Sequence, residues 1–121
     1  MSNYKQSFKD EERAVLLNTM QAVDAFINIR ATMPLQYVKS FMLVATDEGR
    51  NVSWYAKKAR ISPPLMTRHL ADLGHVNRYH EAGFGLVEQF NDDYDKRFRL
   101  VRLTQHGRKV ADQIIRAHLK R

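Results

Sequence analysis

The sequence contains no cysteine. Disulfide bridges, thiolate metal sites and cysteine-based nucleophilic catalysis are excluded at once. No apolar run approaches the roughly 18 residues that a membrane span requires. The opening stretch, MSNYKQSFKDEER, is polar and does not read as a signal peptide, so the expected compartment is the cytoplasm. There is no internal repeat and no low-complexity segment. What remains is 121 residues, the size of one ordinary domain. A hydrophobic content of 44% is enough for a core, and 27% charged residues is normal for a soluble surface.

The formal net charge is +7 and is unevenly placed. Residues 1–50 hold six basic and six acidic side chains, whereas residues 51–121 hold fourteen basic and seven acidic. The entire excess therefore lies in the second part of the chain. A basic balance favours an anionic partner such as nucleic acid or a membrane surface. Its confinement fits an N-terminal scaffold followed by a module that meets an anion. A simple Lys/Arg-rich solvated surface would give the same count.

Hydrophobic periodicity predicts a long helix over 10–31, with Leu16, Met20, Val23, Ile27 and Val15, Ala22, Phe26, Ile29 as two stripes. Its apolar face is wide enough to predict burial on more than one side. Pro34 is placed to open a second helix that runs to about Thr46. Residues 50–53 read as a short extended piece. Ser53 is the expected cap of a short helix from Trp54 to about Arg60, and Ser62 of the next, from Pro63 to about Leu73. Gly74 closes that helix. His75 to Tyr79 can add one helical turn before Gly83 and Gly85 turn the chain. Residues 86–90 and 97–104 read as strands of a basic hairpin with a tip at 91–96, and the alternation shifts phase near Val101, as at a β-bulge. Thr104 caps a last helix from Gln105 to about Leu119.

This order is a winged helix-turn-helix, the hairpin being the wing. The expected fold is mainly α with a small β-hairpin (α+β), flanked by N- and C-terminal helices. One domain spans 1–121: an arm and helix for dimerisation over 1–31, the winged core over 34–104, and a C-terminal helix over 105–121. The sequence also resembles the MarR family of transcriptional regulators over roughly residues 30–112. The stretch from Val52 to Arg68 is similar to that family's helix-turn-helix, with Ala56 at its small residue and Thr67-Arg68 at its Thr-Arg. In the wing, Asp95-Lys96-Arg97, then Leu100 to Thr104, then Gly107-Arg108 resemble its Asp-Arg-Arg, Leu-Thr and Gly-Arg signature. The chain departs from the family at Met33-Pro34, where Thr-Pro is usual. It also departs at Pro64 and Leu65, where small polar residues often contact DNA, and over 74–85, which reads as an insertion. The usual extra C-terminal helix is short or absent.

A helix fits the major groove of B-DNA, where base edges carry a donor and acceptor code. Met66, Leu70 and Leu73 suit the inner face of such a helix. Ser62, Pro63, Pro64, Thr67 and Arg68 are the candidate DNA-facing residues. Arg68 is the candidate base reader, since its fork pairs bidentately with guanine. The plain alternative is a surface salt bridge to Asp72, four residues on. Thr67 and Ser62 suit phosphate contact. Lys57, Lys58 and Arg60 flank the turn and suit phosphate contact or steering. Lys96, Arg97 and Arg99 lie at the wing, where a narrow minor groove attracts cations, with Asp95 orienting Arg97 or the turn.

Double-stranded DNA is thus the expected partner and a homodimer the expected state, with no membrane partner. By the resemblance, a small-molecule effector has room between the N-terminal helices and the DNA module. The alternative is a winged-helix module that docks on an acidic protein. No cofactor, metal or catalytic set is expected. His75, His80 and Glu81 match no standard ligand spacing. Ser53 and Ser62 lack a His–acid pair. Trp54 reads as a core or helix-packing aromatic, the methionines Met20, Met33, Met42 and Met66 as core, and His106 and His118 as surface.

Overall fold

The computed structural model describes residues 5, 7–77 and 79–119. Among these residues five helices and a small sheet follow one another: α1 (Asp10–Ile27), α2 (Leu35–Thr46), β1 (Arg50–Asn51), α3 (Val52–Ala59), α4 (Pro63–Leu73), β2 (Val87–Asn91), β3 (Arg99–Leu103) and α5 (Gln105–Leu119). The three strands are antiparallel in the order β1-β3-β2. Phe41 and Val44 from α2, Tyr55 from α3, Met66, Leu70 and Leu73 from α4, and Leu86, Val87 and Val101 around the sheet meet in one fully buried core. Helix α1 packs along α5, to one side of this core. No helix among the described residues is long and apolar enough to cross a membrane.

Helix α1 opens with Asp10, Glu11 and Glu12, which favour the positive end of its dipole. The Glu12 carboxylate also accepts the Lys9 backbone N–H at 2.9 Å. The helix ends at Ile27, four residues short of the predicted Ala31. There the chain tightens, with the Ile29 and Arg30 N–H groups both bonding the Phe26 carbonyl. Ile29 and Met33 still pack on the core, so the apolar rhythm outlasts the helix. Pro34 is extended (ψ 140°) and sits one residue before α2 rather than as its first residue. The wide apolar face of α1 is not buried on two sides. Only Ala22, Ala25 and Phe26 are covered, and Val15, Leu16, Leu17, Met20, Val23 and Ile27 are exposed. Met20 is therefore a surface residue, not a core one. Of the other methionines, Met66 is buried, Met33 half-buried and Met42 at the margin.

The cap of α3 is Asn51, not Ser53. Strand β1 pairs Arg50 with Val101 and Asn51 with Leu100, then stops. The Asn51 side-chain Oδ1 accepts the Trp54 N–H at 2.9 Å, so the helix starts at once with Val52. Helix α4 begins and ends as the sequence predicts, with Ser62 accepting the Leu65 N–H at 3.3 Å and Gly74 at the far end. The following stretch is not an extra helical turn. Val76 bridges to Ala82, the Asn77 N–H bonds the Glu81 carbonyl, and the segment folds back so that Phe84, Gly85 and Leu86 donate to Asp72, Gly74 and Leu73. These bonds satisfy the carbonyls that a helix end leaves open.

The wing has no bulge. Pairing runs without interruption from Val87↔Leu103 to Asn91↔Arg99. The phase shift in the sequence arises because both faces are apolar. Val101 and Leu103 enter the core, whereas Leu100 pairs with Phe90 on the opposite face, where Arg102 lies 4.5 Å over the Phe90 ring. Thr104 begins α5, accepting the Gly107 N–H at 3.0 Å and donating to the Gly85 carbonyl at 2.6 Å.

Candidate nucleic-acid interface

Helix α4 divides cleanly by face. Met66, His69, Leu70 and Leu73 are buried against α2 and α3, while Ser62, Pro63, Pro64, Thr67 and Arg68 are exposed. Helical phase dictates this, since the buried set recurs at spacings of three and four. Leu65 is half-buried between the two sets. Asp72, the alternative partner of Arg68, instead accepts a hydrogen bond from Tyr37 of α2. Among the described residues Arg68 has no ion-pair partner. The Ser62 hydroxyl oxygen serves the cap, which leaves its O–H to donate elsewhere.

The turn before α4 is made by Arg60, whose φ of 59° and ψ of 42° lie in the left-handed region. That conformation is uncommon for a residue with a Cβ and costs about 1 kcal/mol. It ends α3 and points the chain into α4 within three residues. Lys57, Lys58 and Arg60 are all exposed. The Lys58 ammonium stands 5.3 Å from the Trp54 ring, and the Arg50 guanidinium lies 4.9 Å over the same ring. Trp54 is thus a half-buried platform for two cations. The sequence reading missed Arg50, because nothing local shows that β1 would bring it to Trp54.

At the wing tip, Lys96, Arg97 and Arg99 are exposed. The tip is closed by the Phe98 N–H on the Asp95 carbonyl and the Asp92 N–H on the Phe98 carbonyl. The Asp95 carboxylate accepts both the backbone N–H of Arg97 (3.1 Å) and its guanidinium (3.0 and 2.8 Å). The Arg97 side chain beside it holds the Asp95 carboxyl below the usual carboxylate range. Asp95 therefore both shapes the turn and aims Arg97. Tyr94, beside it, is fully exposed.

Three residues that the sequence did not announce hold these parts together. Tyr55 is buried, donates to the Asp47 carbonyl at 2.6 Å and accepts the Arg50 N–H at 3.3 Å, which joins α2, β1 and α3. Burial pushes its phenol above the ordinary range. Glu48 accepts the Leu103 N–H at 2.8 Å, where β1 is too short to pair, and bridges to Arg108 at 3.0 Å. His69 is buried beside Ser40. An open apolar groove of about 410 Å³ lies between α1, α2 and α5, lined by Phe26, Ile27, Val38, Met42 and Ile114, with Arg30 and His118 among its polar groups.

No protein-family model and no curated protein sequence matches the chain. Solved structures do match in shape. RV1404 from Mycobacterium tuberculosis aligns over 97% of this chain and 77% of its own, with a TM-score of 0.64 at 15% identity. MepR of S. aureus, solved in complex with DNA, aligns over 90% and 82%, with a TM-score of 0.64 at 15% identity. MarR from E. coli, in its apo form, aligns over 92% and 78%, with a TM-score of 0.59 at 17% identity. Among the described residues, five helices around a three-stranded antiparallel sheet, in this order and at this similarity, form the winged helix-turn-helix fold seen in the MarR-type transcriptional regulators.

Proposed function

We propose that this chain is a sequence-specific double-stranded-DNA-binding transcriptional regulator that acts as a homodimer. Helix α4 enters a major groove and the wing lies at the adjoining minor groove. The observation that carries this reading is the outward face of the helix-turn-helix. Thr67 and Arg68 stand exposed on α4, with Lys57, Lys58 and Arg60 exposed just before it. Arg68 reads a base, and Thr67 and Ser62 hold phosphates. Pro63 and Pro64 bring the rigid start of the helix against the groove wall. Lys96, Arg97 and Arg99 supply the wing's cations. The structure of MepR, of the same fold and solved with DNA, supports the reading.

The dimer is supported by the exposed apolar stripe of α1, together with Ile115 and Leu119 of α5. A contiguous apolar face of this kind marks an interaction surface. Residues 1–31 then serve dimerisation, with the helix over 105–119 adding to the surface, and 34–104 serve DNA. The groove between α1, α2 and α5 has the size of a small-ligand site, so an apolar effector would sit there. The activity is binding, not catalysis.

Selection of bound duplexes from a random pool, with the stoichiometry measured, tests the reading. The expected product is a near-palindrome with half-sites about one helical turn apart. Absence of retardation of any duplex at micromolar protein and low salt overturns it in favour of an acidic protein partner.

A further inference from the structure

Helix α4 is tied to α2 by directional contacts as well as apolar ones. His69 Nδ1 and Ser40 Oγ are 2.9 Å apart, and Tyr37 donates to Asp72. The Tyr37 and His69 rings lie against each other, their centroids 4.8 Å apart. The partners are three residues apart on each helix, so each pair falls on one helix face. They are met in opposite order, the later residue of α2 facing the earlier one of α4.

Met66, Leu70 and Leu73 hold α4 to the core but do not fix its setting, because apolar contact is non-directional. Hydrogen bonds weaken steeply with misalignment. Slipping α4 by one residue means a shift of about 1.5 Å with a turn of about 100°, which breaks both bonds together. Thr67 and Arg68 lie in the same turn as His69. What fixes His69 therefore fixes the residues that face outward.

His69 is 3% exposed and Ser40 1%. Desolvation holds the imidazole below the ordinary histidine range, with the Asp72 charge opposing. The groups around it are few. Helix α2 brings Tyr37 and Ser40, and Lys39, which lines the same 200 Å³ cavity. The end of α3 and its turn bring Ala59 and Ile61, which carry no charge. Helix α4 itself brings Asp72. A proton on His69 thus enters a largely desolvated site beside this cavity, and the Asp72 charge offsets only part of that cost.

We propose that Ser40–His69 and Tyr37–Asp72 form a latch that sets the axial and rotational position of α4, and that proton uptake at His69 loosens it. His69 is then a positioning residue, and discrimination among DNA sites falls on mild acidification. This rests on the DNA-binding reading above.

The test compares a duplex selected by the full chain with a random duplex, both titrated from about pH 7.5 to about pH 5.5. The ratio of the two affinities is the readout, since it cancels the general gain of positive charge in acid. For the unaltered protein the ratio is expected to fall about tenfold, equivalent to about 1.4 kcal/mol. His69→Gln keeps a side chain that hydrogen-bonds without titrating, and it should keep the ratio high and flat. Ser40→Ala should lower the ratio at both ends with the fold intact by circular dichroism. A flat profile in the unaltered protein, or an equal fall in His69→Gln, overturns the latch alone. Failure of every duplex to bind at about pH 7.5 overturns the DNA reading itself, and the latch as a DNA device with it.

Discussion

At the scale of single residues, Gly107 shows how little room the fold leaves. A Cβ at this position would overlap the Leu86 carbonyl oxygen and crowd Leu103. Only glycine lets α5 start this close to the chain entering β2. Gly107→Ala is expected to cost about 1–3 kcal/mol of stability, read as a lower urea midpoint at unchanged slope. An unchanged midpoint would mean that α5 is free to stand off. Arg68 makes the opposite kind of prediction, because it supports nothing internally. Arg68→Ala should leave the urea midpoint alone, weaken specific DNA binding by about 1–3 kcal/mol and relax base preference at one position. An intact footprint with intact selectivity removes Arg68 from base reading. His69 adds a pH dependence of the fold. Its imidazole is held below the ordinary value of 6.5, so the unfolded chain binds more protons in the window beneath that value. Its contribution to stability is complete above about pH 6.5 and is lost as pH falls through that window. Denaturation at a series of pH values should show this decline, and His69→Gln should remove that part of it.

At the scale of elements, the role proposed for the wing is electrostatic. Lys96→Ala, or Arg97→Ala, is expected to reduce the slope of log binding constant against log salt by about one unit. An unchanged slope would take the wing out of the phosphate contact. The elements differ in how far the sequence reveals them. Helix α4 and the start of α5 were legible residue by residue, because Ser62, Pro63, Gly74 and Thr104 act within one turn of where they stand. The start of α3 was not. It is set by where β1 stops pairing with β3, some fifty residues later, and that hands the cap to Asn51. The supposed bulge failed for a related reason, since Phe90 and Arg102 make the outer face of the hairpin as hospitable to Leu100 as the core is to Val101. The candidate DNA residues on α4 were legible because helical phase alone decides which of them face out. The residues that position them were not, because Tyr55, Glu48 and His69 all find their partners on other elements.

At the scale of the whole molecule, the exposed stripe of α1 leaves Val15, Leu16, Leu17, Met20, Val23 and Ile27 at the surface. A stable pair of copies needs about 800 Å² from each. Leu16→Glu or Met20→Glu should convert the proposed dimer to a monomer by sedimentation while the helical signal stays the same. Loss of the fold, or persistence of the dimer, would exclude this face. The contact between α5 and the Leu86 carbonyl reaches further than stability. Helix α5 packs along α1, the helix that carries the stripe, and also begins at the base of the wing. Its 15 residues make a rod of about 22 Å. A tilt of about 10° about Gly107, roughly 18 Å from the far end, swings that end by about 3 Å, close to the rise of one base pair. In the proposed dimer the rod is thus a lever with a glycine fulcrum, and a small change of angle between the two copies would become a change of reach measured in base pairs.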